Sequence, residues 1–297
     1  MRIYIAFKRS RVAMTKLNIL FDHMRWEEKA LYNACQKKRI DFSLLSAEKI
    51  FMELTSDRKP EGIGDVVVQR CVSHFRGVHA TAAIESYGVP VINKHSTAET
   101  CGNKVLNTLA FKKAGIPTPR TYLSFTVEST LDALREMGYP SVLKPVVGSW
   151  GRLVSLVEDS TSATVALEHR EMMFPLYQIY YAQEMVKRPP RDLRVFVIGD
   201  DVPVAIYRVN ETGDWRTNTA RGGRVENCPV TPEIRELAMK AASAVGGGVF
   251  GVDMMESERG LLVHEINSTV EFKNTVPATG VDIPGMIVDY ALKEAKR

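Results

Sequence analysis

The sequence has no uninterrupted apolar run of about 18 residues, the length a bilayer-spanning helix needs. Its opening MRIYIAFKRSRVAM holds too short an apolar stretch for a secretory leader, so a soluble, cytoplasmic protein without a membrane partner is expected. Cysteine is scarce. Cys35, Cys71, Cys101 and Cys228 show no C-x-x-C spacing and no His-rich neighbourhood, which argues against a zinc cluster or a disulfide framework and fits reduced thiols. Low-complexity tracts and internal repeats are also absent, and 45% hydrophobic with 25% charged residues places the chain among ordinary globular enzymes, not disordered proteins. No G-x-S-x-G and no Cys/His arrangement points to covalent catalysis. The N-x-[ST] triplets at Asn210 and Asn267 mean little without a leader.

What is present is a regular alternation. The 297 residues allow one large domain or two to three small ones, and the net charge of +4 is densest at Lys37–Arg39 and Lys187–Arg194, a pattern that usually marks a solvated face. LNILFD reads as a first strand, which makes Met14 an alternative start to Met1. A helix over MRWEEKALYNACQKK, a strand DVVVQR, a helix closed by Gly88 and a strand VPVIN complete an α/β unit, assigned to residues 14–97. A helix through STAETCGNKVLNTLAFKKAG then leads into an α+β block, residues 98–182, holding TYLSF, STLDALREMG, SVLKPVV, a glycine loop, a strand from Arg152 and TSATVALEHREMM. Residues 183–297 supply a mostly antiparallel set: LRVFVIGD and VPVAIYRV as a hairpin, the helix PEIRELAMKAASAV, and VFGVDMMES with LLVHEIN around a turn at Glu258 to Gly260.

Two glycine runs invite a phosphate reading. GGGVFG at Gly246–Gly251 satisfies G-x-G-x-x-G, but a dinucleotide fingerprint needs strand, glycines, helix, and here the order is helix, glycines, strand. It reads as a helix cap and a tight strand entry. The loop Gly148-Ser149-Trp150-Gly151-Arg152 is no P-loop either, because Lys144 precedes it on a strand. It is either a hairpin whose N–H groups fold over phosphate oxygens while Lys144 reaches in, or a tight structural turn. Asp253, Glu265 and Asn267 weigh more. Glu265 and Asn267 share one strand face and Asp253 comes from the neighbouring strand, three hard-oxygen donors suited to a Mg²⁺ ion that also binds substrate phosphates. Ionised groups flanked by Val, Leu and Ile need a partner.

Taken in chain order, Lys144, the glycine loop, QEMV, the arginines of D-L-R and I-Y-R, and the D…E-x-N set resemble the ATP-grasp superfamily over nearly the whole chain. The stretches LKPVVGSWGRLVSLV, TNTARGG, ESERGLLVHEIN and EFKNTVPATGVDIPG resemble the RimK-like ligases of amino-group-carrier lysine and arginine biosynthesis. The resemblance implies a Rossmann-like pre-ATP-grasp domain followed by two α+β domains that clamp ATP. It further implies that Lys104 and Lys144 contact the phosphates, that Gly148, Ser149, Trp150 and Gly151 cover them, and that Gln183, Glu184, Met185 and Val186 meet adenine. Asp253, Glu265 and Asn267 would hold Mg²⁺, and Arg194 and Arg221 would neutralise the transferring phosphoryl group. Arg208, Asn218, Asn274, Thr275, Ala278, Thr279 and Gly280 would line an amino-acid pocket. The sequence departs from the family at Lys187-Arg188, where an acidic residue near the ribose is expected.

The implied reaction joins the α-amino group of α-aminoadipate, or of glutamate, to the C-terminal glutamate side chain of a small acidic carrier protein. A homo-oligomer is also expected. A nucleic-acid-binding role has only mild basicity and scattered aromatics in its favour, and no nucleic-acid partner is expected.

Overall fold

The computed structural model describes residues 15–148, 151–210, 215 and 224–296. The chain runs β1 (Lys16–Phe21), α1 (Trp26–Lys38), β2 (Asp41–Ser46), β3 (Val66–Gln69), α2 (His74–Ser86) and β4 (Val91–Ile92). These strands form a parallel sheet in the order β2-β1-β3-β4. Both faces of β1 are buried, as a parallel sheet between helices requires: Leu17 and Ile19 enter one core and Leu20 another. The strand β2 was not anticipated. Its DFSLLS is only partly buried, because it is the sheet edge, and it therefore lacks the apolar run that betrays β3.

Next come α3 (His95–Gly102) and α4 (Lys104–Lys113), where the sequence suggested one helix. Asn103 breaks it. Its backbone is extended (φ −118°, ψ 115°) and its side chain caps α4 by accepting from the Val105 N–H at 2.9 Å. The first N–H of α4, from Lys104, is then free to donate to the Val146 carbonyl at 2.8 Å. Asn103→Ala is expected to cost about 1 kcal/mol of stability, read by chemical denaturation; an unchanged midpoint would mean that packing alone sets the break.

The second sheet, β5-β8-β6-β7, is antiparallel and is built from β5 (Thr121–Ser124), α5 (Val127–Met137), β6 (Ser141–Lys144), β7 (Ser155–Val157), α6 (Ser160–Glu171) and β8 (Tyr180–Glu184). The strand β7 starts at Ser155, not Arg152, because Leu153 takes a left-handed conformation (φ 56°). The third sheet has the order β11-β10-β9-β12-β13, from β9 (Arg191–Ile198), β10 (Asp201–Val209), β11 (Arg224–Cys228), α7 (Pro232–Ala244), β12 (Val249–Ser257) and β13 (Gly260–Asn267). Gly246, Gly247 and Gly248 all have positive φ between α7 and β12, so the glycine run is indeed a helix exit and a strand entry. The chain closes with α8 (Thr275–Thr279) and α9 (Ile283–Glu294), and α9 packs against α1 under the first sheet.

Strand alternation in the third sheet sorts its chemistry. Leu193, Val195 and Val197 of β9, with Phe250, Val252 and Met254 of β12, enter one core under α7. Their neighbours point the other way. At one end of that opposite face Phe196, Ile198, Val204 and Ile206 pack with α1 and α9, and at the other end stand Arg194, Arg208 and Asp253.

Candidate active site

A cleft of about 470 Å³ opens over that charged end. Its lining includes Lys104, Lys144, Gly148, Arg188, Arg194, Arg208, Asp253, Glu265 and Asn267, so residues set apart in the chain meet in one place. Arg194 on β9 and Asp253 on β12 are register partners, and the guanidinium grips both carboxylate oxygens at 2.7 Å. Gly251 makes room for this: a Cβ there would meet the Val270 side chain at 2.5 Å and the Arg194 stem at 3.4 Å. Arg208 on β10 binds its partner Asp192 at 2.6 and 2.8 Å and reaches Asp253 Oδ2 at 3.2 Å. Burial would raise the Asp253 carboxyl, but the charges of Arg194 and Arg208 and the Arg194 hydrogen bonds hold it below the usual carboxylate range. Asp253 is thus ionised, and its burial is offset by two cations.

Glu265 lies directly across from Asp253, and Asn267 Nδ2 is 3.5 Å from Asp253 Oδ2. Lys104, the first residue of α4, extends into the same space, donating to the Gly148 carbonyl at 2.9 Å and standing 3.4 Å from Glu265 Oε1. Two carboxylates and an amide on adjacent strands are the hard-oxygen donors that suit Mg²⁺, and the surrounding lysines and arginines suit the phosphates that would enter with it. Among the described residues no group of three or more His, Cys, Asp or Glu is placed to hold a metal ion.

Lys144 ends β6 and donates to Gln183 Oε1 at 2.6 Å. Burial pushes its pKa down to about 8, with Glu265 opposing the shift. The exit of the glycine loop is tied down from α6: buried Arg170 donates to the Leu143 carbonyl at 3.2 Å and to the Leu153 carbonyl at 2.6 Å. Cys71 and Cys101 also line the cleft, but burial raises both thiols, Cys71 to about 12, so neither is a thiolate at neutral pH.

Other expected residues are placed elsewhere. Ser149, Trp150, Asn218 and Arg221 lie outside the described residues. None of Gln183 to Val186 is in the cleft lining: Gln183 and Val186 are buried, Met185 is half-buried, and the Glu184 carboxylate accepts from the Arg120 N–H at 2.7 Å and pairs with Arg259. Asn274, Thr275, Ala278, Thr279 and Gly280 do not line the cleft. The α8 segment packs beside β11, at the sheet edge opposite β13, with Thr275 buried and Val276 against the core of α9. Lys187 faces solvent and pairs with Glu258 at 3.0 Å, while Arg188 turns inward to the Trp215 carbonyl at 3.1 Å.

Among the lining residues that escaped the sequence reading are Arg25, His74, Asp192 and His264. Asp192 had a signal, since D-x-R spacing puts it on the face of Arg194. Arg25 and His74 had none, because they start helices beside the first sheet and reach the cleft only when the units pack.

Comparison with known proteins matches residues 101–291 to the RimK-like ATP-grasp domain and residues 17–100 to the LysX preATP-grasp domain. The α-aminoadipate–LysW ligase LysX of Saccharolobus solfataricus is 38% identical over 92% of this chain and 99% of its own. The glutamate–LysW ligase ArgX of Sulfolobus acidocaldarius is 32% identical over 93% of this chain and 97% of its own. Among solved structures, a RimK domain ATP-grasp protein from Sphaerobacter thermophilus superposes with a TM-score of 0.79 at 25% identity, covering 93% of this chain and 99% of that one.

Proposed function

Because the chain belongs to the RimK-like ATP-grasp ligases, we propose that it joins the α-amino group of α-aminoadipate to the C-terminal glutamate side chain of a small acidic carrier protein, in lysine biosynthesis. The observation that carries this reading is the convergence of Lys104 and Lys144, from separate elements, on the strand pair holding Asp253, Glu265 and Asn267. A carboxylate is a poor electrophile. A carrier carboxylate oxygen attacks the γ-phosphorus of ATP and ADP leaves; the amine then attacks the acyl carbon, inorganic phosphate leaves, and the nitrogen gives up its proton to form the amide. Catalysis of this kind is mostly positioning and charge neutralisation.

Each residue has a part in it. Lys104 and Lys144 hold phosphate oxygens from two sides, and the loop bounded by Gly148 and Gly151 covers them. Gln183 to Val186 border the adenine end. Asp253, Glu265 and Asn267 would hold Mg²⁺, which when bound would offset charge on the phosphates. Arg194, fixed by Asp253, adds positive charge where the phosphoryl group is transferred, a role shared with Arg221. Arg208, on β10 between the metal strands and the α8 edge, borders the amino-acid end of the transfer site.

Glutamate and α-aminoadipate differ by one methylene, worth only about 1–3 kcal/mol in a pocket. The expected result with purified protein, carrier and ATP is therefore a higher kcat/KM for α-aminoadipate, with measurable activity on glutamate. A higher kcat/KM for glutamate would assign the protein to the arginine branch. No ATP turnover with carrier and either amino acid would end the ligase reading. Among the described residues no helix is long and apolar enough to cross a membrane.

A further inference from the structure

Both ring nitrogens of His264 are shielded from solvent and have no hydrogen-bond partner among the described residues, yet the residue lines the cleft. Strict alternation would turn His264 away from Glu265. The register between β12 and β13 shifts between Asp253 and Met254, which makes His264 the extra residue of a bulge. Val263 and Ile266, three apart, consequently both enter the core under α7, and His264 and Glu265 both face the cleft.

Lys144, Arg188, Arg208 and Asp253 line the same cleft as the imidazole. The three cations can only donate, and the Asp253 oxygens face Arg194 and Arg208, not the imidazole. In either protonation state the ring carries at least one N–H, and no described group accepts it. A leucine would fill the position without leaving a buried donor unused.

We propose that His264 is a nucleotide-contacting residue, donating its imidazole N–H to an oxygen of the bound adenine nucleotide. This rests on the ATP-dependent reading above. Lys144 and Arg188 draw an oxygen-rich anion to the position, and Lys144 sets it beside the phosphate end.

The test compares wild type, His264→Leu and His264→Asn in calorimetric titrations with ADP and with adenosine, alongside the ¹⁵N imidazole resonances of the wild-type protein. His264→Leu is expected to bind ADP about tenfold more weakly, whereas His264→Asn, which keeps an N–H donor, stays within about threefold of wild type. The wild-type His264 resonance, identified by its loss in the Asn variant, shifts as ADP saturates. A phosphate acceptor leaves adenosine binding equal in wild type and His264→Leu; a ribose acceptor weakens it in the variant. Wild-type ADP affinity in His264→Leu, or an unmoved imidazole resonance at saturation, would overturn the proposal while leaving the ligase reading intact. Failure of the wild-type protein to bind ADP would overturn both.

Discussion

Glu265→Gln is expected to lower carrier-dependent ADP release by about 100-fold or more, in line with the cost of removing one preorganised charge-stabilising group from a reaction centre. The change removes one negative charge and almost no volume. Glu265 sits opposite Asp253 and is only 3.4 Å from Lys104, so it is the carboxylate with room to share a cation. Asp253, by contrast, already shares its charge with Arg194 and Arg208 and keeps only its remaining lone pairs for an ion. The folded state loses little: the Lys104–Glu265 pair has partly exposed partners and is worth about 1 kcal/mol at most. The variant should therefore melt near the wild-type temperature, and part of its activity should return at raised Mg²⁺. Release at near wild-type rates would remove Glu265 from the metal set.

The legible part of the fold was the part that local physics fixes. The strands of the third sheet could be read because VFGV, LLV and VFVI are β-rich runs bounded by turn residues, and the charged positions on them fall at two-residue spacing. That spacing places Glu265 and Asn267 on one face, and the structure has them in the cleft with Asp253 of the neighbouring strand. It fails at His264, because a bulge is decided by how β13 meets β12 and not by either strand alone. The break at Asn103 was missed for a similar reason. Asn is tolerated inside a helix, and only the bond from the Lys104 N–H to Val146 repays the broken turn.

Ion pairing was the least visible feature. In the sequence Arg194 and Arg208 are arginines on strands; in the fold they neutralise Asp253 and Asp192 before any ligand arrives. The α8 segment shows the converse. NTVPATG follows the E-x-N strand closely in the chain, but β13 and β11 are opposite edges of one sheet, so sequence proximity does not become proximity to the cleft.

Lys144→Met is expected to weaken ADP binding by about tenfold to a hundredfold, the value of a hydrogen bond to a charged group in a partly desolvated site. Its effect on the unliganded fold should be small at neutral pH, because two terms oppose each other. Removing the ammonium relieves the cost of holding a charge in the cleft wall, which burial makes large enough to bring the pKa from its ordinary 10.5 to about 8. The same change leaves Gln183 Oε1 without its donor at 2.6 Å, a loss of about 1 kcal/mol. The pH dependence separates the terms. Between about 8 and 10.5 the unfolded chain keeps the Lys144 proton while the folded chain has released it, so this residue's contribution to stability rises with pH. That contribution is complete above the unfolded value and is lost as pH falls through the folded one. Chemical denaturation at pH 7 and pH 9.5 should show wild type gaining about 1–2 kcal/mol on the Met variant at the higher pH, after allowance for the solvent that reaches the cleft. Phosphate should restore the charge, so ADP binding near pH 8.5 should take up a proton in wild type that the variant does not. Equal ADP affinity and parallel stability profiles for the two proteins would make Lys144 a wall residue of the glycine hairpin and take it out of the nucleotide site.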